Sequence, residues 1–489
     1  MIYKKTLLTL EQETAALAII SGSSATIQAP AGSGKTMTIA AGARRRSDPG
    51  LAISFNKSTA LNATKIFNSN IECKTSHSLA FRSVGRHYSK RLKKLTGGSL
   101  AKELNLGDIG PFPSMATKGY LVLDTIRAFC YSNSSTISEK HVPYLTLAIS
   151  HEILFSIRQD LTEQANLVWQ KMTSKSSSLP ITHDTYLKLW ALSGPQLDKS
   201  FILFDEAQDA NPVILGVILS QPDSCQKVFI GDRYQQIYSW RGAINAMSGM
   251  NFPRYNLTKS FRFGPAIASV ANKILSSYSD PTQQILPITG LSSKPSEVHT
   301  SHQIAPHCII CRTNQGVISA TMAVQISGTK VHIQGGAKPI LSLLSGIEAL
   351  RAGKKPYHPE LLLFKTFDSL VEYSESSQGS NMKYLLKLIK DYSFKKLYAH
   401  LINCYENPDQ AEVTITTVHK AKGLEWPIVR LWDDFKYPDK DTPMISQEET
   451  NILYVAATRA LNILDISSCT ALSEKALRAG RDYWQEEIA

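Results

Sequence analysis

Two stretches of the chain carry residue types that could handle phosphates: Ala29-Pro30-Ala31-Gly32-Ser33-Gly34-Lys35-Thr36 and Asp205-Glu206-Ala207-Gln208-Asp209. In the first, Gly32 and Gly34 let the backbone curl so that successive N–H groups, reinforced by the positive end of a following helix, converge on phosphate oxygens. Lys35 would set a point charge at the β- and γ-phosphates of ATP, and the Thr36 hydroxyl would ligate Mg²⁺. Ala29 stands where the strict loop pattern has its first glycine. In the second stretch, Asp205 would hold Mg²⁺ through water, and Glu206 would orient and deprotonate an attacking water. A lone acidic cluster at a strand end is ordinarily a solvated turn or a helix cap. A phosphate loop in the same chain changes that balance toward nucleotide hydrolysis. Phosphoryl transfer also needs cations on the equatorial oxygens, and Arg262 and Arg459 are the candidates, although either alone reads as a surface arginine.

The elements around these residues supply the context they need. An apolar run ending at Ile27 enters the loop and residues 37–46 leave it as helix, which gives strand, phosphate loop, helix. Upstream, residues 7–20 read as a helix carrying Gln12. Downstream, residues 51–55 form a strand, followed by an Ala-rich helical stretch and a further helix that begins at Thr75-Ser76-His77. This is the βαβα rhythm of a parallel sheet. The strands Phe201–Phe204 and Lys227–Ile230 continue it, and both end in acidic residues. The separation of Lys35 from Asp205 exceeds what a few βα units need, so an insertion is expected, helical and polar, closing in the low-complexity run Ser174–Ser178. Within it Arg82, Arg86 and Lys90 recur every four residues with Tyr88 interleaved, and Arg91, Lys93 and Lys94 follow. That spacing predicts one basic helix face, either simply solvated or lying along nucleic-acid phosphates. A second α/β system follows from about residue 255, with strands at 307–311, 331–333, 413–416 and 428–431. It is interrupted by a second helical stretch with Lys383, Lys387 and Lys390 on one face. The expected division is 1–81 with 180–254 as one sheet domain, 82–179 as its insertion, 255–341 with 411–489 as the other, and 342–410 as a smaller insertion. Few residues follow Ala460, so no additional catalytic domain is expected there.

Composition sets outer bounds. The chain has 489 residues, 43% of them hydrophobic and 19% charged, enough for several cores. The 53 Lys and Arg outnumber the 41 Asp and Glu, a formal charge of +12 that favours a polyanionic partner such as nucleic acid. Seven scattered cysteines do not make a disulfide framework and fit a reducing compartment. Cys308-Ile309-Ile310-Cys311 has metal-like spacing, but without a second pair it reads as a buried strand. Nothing in the sequence reads as an export signal or a membrane anchor, so a cytoplasmic location is expected, or a nucleoid or nuclear one for a eukaryotic or viral source.

With the motifs in place, the chain resembles superfamily 1 helicases of the UvrD/Rep/PcrA group, and within them the F-box DNA helicases without their F-box. Gln12 resembles the adenine-reading Q motif, and residues 29–36 the phosphate loop, in which Ala29 is ordinary. Ser54-Phe55-Asn56-Lys57 and Thr75–Ala80 resemble two strand-binding motifs, and residues 205–209 the DExQD box. Residues 231–243, with Gln235, Trp240 and Arg241, resemble the motif that couples nucleotide to DNA. Leu257–Arg262 matches motif four, Thr416–Glu425 motif five and Glu448–Ala460 motif six. The F-box branch is further suggested by Ser260–Gly264, by Trp432-Asp433-Asp434-Phe435, by Thr182-His183-Asp184-Thr185-Tyr186-Leu187-Lys188-Leu189-Trp190 and by the short second insertion. Thr450-Asn451 departs from UvrD itself, which has two arginines there.

The resemblance implies two RecA-like parallel-sheet motor domains, each with a mainly helical insertion. It also implies ATP and Mg²⁺ as cofactors, with Lys35, Asp205, Glu206, Gln235, Arg262 and Arg459 in catalysis. Gln12, residues Ala29 to Thr36, Phe261 and Glu425 would hold the nucleotide. Phe55, Asn56, His77, Trp240, Arg241 and His419 would hold DNA, the aromatics by base stacking. The expected activity is an ATP-dependent DNA helicase or translocase on single strands and junctions, with 3′-to-5′ polarity and a place in repair, recombination or replication. Two other readings stay open: a translocase that mainly strips single-strand-binding or recombinase proteins, and a DNA-binding module with a vestigial ATPase. No membrane partner is expected.

Overall fold

The protein is described from a computed structural model, which covers residues 2–3, 6–54, 56–93, 95–145, 150–239, 242–280, 285–301, 304–375, 380–438 and 444–488. It divides into two compact units, residues 1–29 with 35–257 and residues 30–34 with 258–489. The fold is α/β, as the strand rhythm predicts. Among the described residues no helix is long and apolar enough to cross a membrane.

In the first unit six strands form one sheet: β1 (Ala25–Gln28), β2 (Gly50–Ser54), β3 (Ile71–Thr75), β4 (Phe201–Asp205), β5 (Gln226–Gly231) and β6 (Arg254–Asn256). Their order is β3-β2-β4-β5-β1-β6, and every pairing is parallel. The inner strands are buried along nearly their whole length, which is why they read as continuous apolar runs rather than alternating ones. Helices α1 (Leu10–Ile20) and α2 (Lys35–Ala43) supply Ala15, Ile19, Ile39 and Ala40 to the core formed with Ile27, Leu203 and Val228.

Local chemistry moved two expected boundaries. Helix α1 starts at Leu10 rather than residue 7, because Thr9 and Gln12 close a capping box ahead of which Thr6–Leu7 pairs with Ile2–Tyr3 as a short antiparallel ladder. The helix expected over residues 37–46 occupies Lys35–Ala43.

The basic face expected from Arg82 onward is not one face. Helix α4 (Ser76–Ser83), which follows α3 (Lys57–Thr64) and β3, stops at Val84, and Gly85–Arg91 continues as 3₁₀ turns. With three residues per turn, an i, i+4 spacing no longer aligns side chains. Arg82, Arg86 and Lys90 are exposed. Arg91 turns inward instead, donating to the carbonyl oxygens of Leu179 (3.0 Å), Ser174 (2.6 Å) and Met172. Lys94 lies outside the described residues.

The stretch between β3 and β4 is otherwise helical and includes α5 (Met115–Tyr131) and α6 (His151–Thr173), followed by α7 (His183–Leu192).

The second unit carries its own parallel sheet of β7 (Glu297–His299), β8 (Cys308–Cys311), β9 (Val331–Ile333), β10 (Val413–Thr417), β11 (Trp426–Leu431) and β12 (Ala460–Asp465), in the order β7-β12-β11-β8-β10-β9. Cys308 and Cys311 sit on a fully buried inner strand. Helix α8 (Pro265–Tyr278) precedes the sheet and α9 (Gln447–Ala457) leads into β12. Between β9 and β10 four helices, Lys338–Arg351, Phe367–Ser374, Ser380–Tyr392 and Phe394–Ile402, bury Leu343, Leu370, Leu385 and Leu397 in the core shared with Ile309 and Ile415. Lys383, Lys387 and Lys390 stay exposed.

Candidate nucleotide site

The residues of the first unit expected to handle phosphate gather at the carboxyl ends of β1, β4 and β5, where an open parallel sheet leaves its crevice. Lys35 opens α2. Its ammonium lies 3.9 Å from Glu206 Oε2 and donates to the Ala29 carbonyl at 3.5 Å. Asp205 ends β4, and Thr36, Ser54 and Asp205 line one cavity of about 240 Å³.

Burial and the adjacent Glu206 carboxylate push the Asp205 carboxyl well above its usual range, and Lys35 opposes them. The adjacent Asp205 and Glu206 carboxylates, with the Thr36 hydroxyl lining the same cavity as Asp205, form a donor set that fits a hard divalent cation, and Thr36 and Asp205 would hold Mg²⁺. The ion would supply charge neutralisation on phosphate oxygens.

Glu206 is held in the left-handed region at φ 55°. That conformation is uncommon for a residue with a Cβ and clusters at functional sites. Its carboxylate is tied to a buried amide network. Gln208 Nε2 donates to Glu206 Oε2 at 2.6 Å, while Gln208 Oε1 accepts the Asp232 N–H at 3.0 Å. Asp232 in turn accepts from Gln235 Nε2 (2.8 Å), Gln28 Nε2 (3.1 Å) and the Tyr234 N–H (3.1 Å). Gln208 and Asp232 are fully buried. Gly231 makes this possible, since a Cβ there would sit 2.2 Å from Gln208 Oε1. Glu206 and Gln235 are therefore connected through Gln208 and Asp232, with Gln28 bracing Asp232 from the side, three residues that motif reading did not single out. Two of them stood inside the quoted motifs, and the sequence signal available was a polar residue at a strand end otherwise apolar.

In the second unit the loop tip 30–34 is held by its backbone. The Ala31 N–H donates to Tyr454 Oη at 3.2 Å, and the Phe261 N–H donates to Gly32 O at 2.8 Å. Gly32 has φ 75°, and a Cβ on it would lie 2.4 Å from Arg262 Cβ. Gly34 is likewise left-handed at φ 77°. The Arg262 guanidinium pairs with Glu425 at 2.8 Å and donates to the Thr458 carbonyl at 3.1 Å. Arg459 is only 1% exposed and turns back onto the carbonyls of Val455 (2.9 Å) and Leu424 (3.4 Å). Phe261 is half-buried, with Lys259 Nζ 5.9 Å from its ring centre. Arg262, Glu425 and Arg459 are thus neighbours, and Tyr454, on the helix that ends just before Arg459, joins them although the sequence reading assigned it no role.

Gln12, expected to read adenine, is buried in α1, where its Oε1 accepts the Thr9 N–H at 3.0 Å. Of the residues expected on DNA, Asn56 caps α3 through the Thr59 N–H at 2.8 Å. His77 lies on α4, 40% exposed, with Nε2 3.2 Å from Asp184. His419 is half-buried on the short helix Val418–Ala421. Phe55, Trp240 and Arg241 lie outside the described residues.

Two segments of the chain match helicase family models. Residues 190–248 match the UvrD/REP helicase N-terminal domain, and residues 354–471 match the UvrD-like helicase C-terminal domain. The chain therefore carries sequence similar to both the N-terminal and the C-terminal UvrD-like helicase domains. Among curated relatives it is similar to F-box DNA helicase 1 of Gallus gallus, 31% identical over 506 residues covering 94% of this chain and 49% of that protein. It is also similar to F-box DNA helicase protein 1 of Schizosaccharomyces pombe, 28% identical over 481 residues covering 89% and 54%. The chain spans about half the length of these relatives. A solved structure, titled the structure of PRRSV helicase, superposes with a TM-score of 0.32 at 12% identity, over 93% of this chain and 54% of its own.

Proposed function

We propose that this chain is an ATP-dependent DNA motor that translocates 3′-to-5′ on single strands and unwinds duplex in DNA repair, recombination or replication. The observation that carries the reading is the cluster of Lys35, Thr36, Asp205 and Glu206 at one sheet edge, with Lys35 Nζ 3.9 Å from Glu206 and the Asp205 carboxyl shifted upward beside it. Lys35 and the backbone N–H groups of residues 32–36 bind the nucleotide phosphates. Glu206, steered by Gln208, accepts the proton of the attacking water. Arg262 and Arg459 are assigned the charge that develops in the transition state, with Gln235 sensing the γ-phosphate through Asp232. Phe261, Gln12 and Glu425 are assigned to the nucleoside. Phe55, Asn56, His77, Trp240, Arg241 and His419 are assigned to the strand, and residues 82–179 and 342–410 to insertions on two motor domains.

The test is steady-state ATP hydrolysis with and without single-stranded DNA, on the wild type and on Glu206→Gln. Strong stimulation by DNA that disappears in the variant is the expected result. Background turnover in both, with DNA still bound, overturns the reading.

A further inference from the structure

The segment Thr182–Trp190 is unused by the nucleotide chemistry, yet its helix makes a specific set of contacts within the first unit. Thr182 caps α7 by accepting the Thr185 N–H at 3.2 Å. Two residues on, both carboxylate oxygens of Asp184 are engaged. Oδ1 accepts from His77 Nε2 and Oδ2 accepts from Tyr131 Oη, each at 3.2 Å. His77 comes from α4, the helix of the expected strand motif, and Tyr131 is the last residue of α5 in the helical stretch between β3 and β4. The Tyr186 ring stands edge-on to His77 at 6.2 Å and to Phe81 at 5.7 Å. Buried Lys188 then donates to the carbonyls of Ser132 (2.7 Å) and Ser134 (2.6 Å), with its ammonium 4.4 Å from the Phe129 ring centre. One helix therefore grips the end of α5 twice and the face of α4 twice.

The chemistry of the pair assigns the imidazole's direction. A carboxylate only accepts, so Nε2 carries the proton toward Asp184. Nδ1 is then the ring nitrogen that has no partner among the described residues. A carboxylate at a strand-binding surface repels phosphate unless it serves a neighbour, and here both of its oxygens are committed to side chains.

We propose that Asp184 is a positioning residue for DNA: by orienting His77 and holding Tyr131, it makes the strand grip of α4 depend on the placement of the helical stretch 82–179. The proposal rests on the assignment of His77 to the strand. A displacement of α5 would act on Asp184 first and on the imidazole second, so that the stretch 82–179 would set affinity without touching the bases.

The experiment measures binding of labelled oligo-dT by fluorescence anisotropy, and the dependence of ATP turnover on DNA concentration, for Asp184→Ala, Asp184→Asn, Tyr131→Phe, His77→Ala and the double variant Asp184→Ala/His77→Ala. Loss of an orienting charge-assisted hydrogen bond weakens binding about 5- to 30-fold in Asp184→Ala, with partial recovery in Asp184→Asn, which keeps one acceptor. The shift falls on the DNA concentration that half-saturates turnover rather than on turnover at saturating DNA, a split that general destabilisation would not give. The double variant binds no more weakly than His77→Ala, since the two residues act as one unit. Additive losses in the double variant overturn the proposal, as does binding within about twofold of wild type in Asp184→Ala while His77→Ala is weak. Normal binding by His77→Ala refutes the strand assignment of His77 and this inference with it, and leaves the ATPase result standing on its own.

Discussion

Replacing Gln208 by Leu should separate positioning of Glu206, the proposed general base, from nucleotide binding. The side chain is fully buried and spans two groups, donating to Glu206 Oε2 at 2.6 Å and accepting the Asp232 N–H at 3.0 Å. Leucine fills a similar volume and removes both bonds. A hydrogen bond to a charged group contributes about 1.5–3 kcal/mol net. If that energy serves to hold Glu206 in its attacking geometry, turnover falls about 10- to 150-fold at 1.36 kcal/mol per decade. Loss of the bond from the Asp232 N–H costs a further ~1–3 kcal/mol of fold stability. Neither loss touches Lys35 or Thr36, so nucleotide affinity should hold. The assay is ATP turnover at saturating ATP and DNA, with urea unfolding followed in parallel and binding of a fluorescent nucleotide as the control. Turnover within about twofold of wild type, measured where Glu206→Gln is silent, would show that Glu206 needs no help from Gln208 and would refute the relay.

Gly32→Ala should abolish nucleotide binding, because φ 75° costs a residue with a Cβ about 1–2 kcal/mol and the new atom would lie 2.4 Å from Arg262 Cβ; a titration with fluorescent nucleotide reads this directly. Glu449→Gln removes a carboxylate that receives Arg312 at 2.7 Å twice over and Lys436 at 3.2 Å. Burial pushes the Glu449 carboxyl up, but these cations outweigh it and hold it below its ordinary value of 4.5. A depressed carboxyl stabilises the fold above its unfolded value, and that contribution is lost as pH falls through the folded one. The variant should therefore be less stable by about 2–4 kcal/mol at pH 7, with the difference shrinking progressively below about pH 4.5 in urea titrations. Arg91→Ala should lower stability by about 1–3 kcal/mol through its lost carbonyl contacts while leaving the salt dependence of DNA affinity unchanged. Arg86→Ala, at an exposed position, should reduce that salt slope by about one if it meets a phosphate, and an unchanged slope would make it a solvated charge.

The class of fold and the phosphate loop could be read from the chain alone because their causes are local. Buried parallel strands write themselves as apolar runs such as Phe201–Phe204, and a loop that must curl around phosphates needs Gly32 and Gly34 at fixed offsets from Lys35. Side-chain direction could not be read that way. Arg91 looked like part of an exposed basic face, yet it satisfies three carbonyls, and Gln12, assigned to the nucleoside, also closes a capping box, contacts fixed by which backbone groups fall within reach. The even spacing of Arg82, Arg86 and Lys90 promised one face until the helix ended at Val84 and the turn changed its period. Gln208 and Asp232 are ordinary polar residues in sequence, and only the adjacency of β4 and β5 links them from Glu206 to Gln235. Asp184 meets His77 across 107 positions of chain. The sequence determined which residue types are present and at what spacing along an element. The tertiary structure decided which polar group each one satisfies, because a buried donor or acceptor must find its partner in space, wherever along the chain that partner lies.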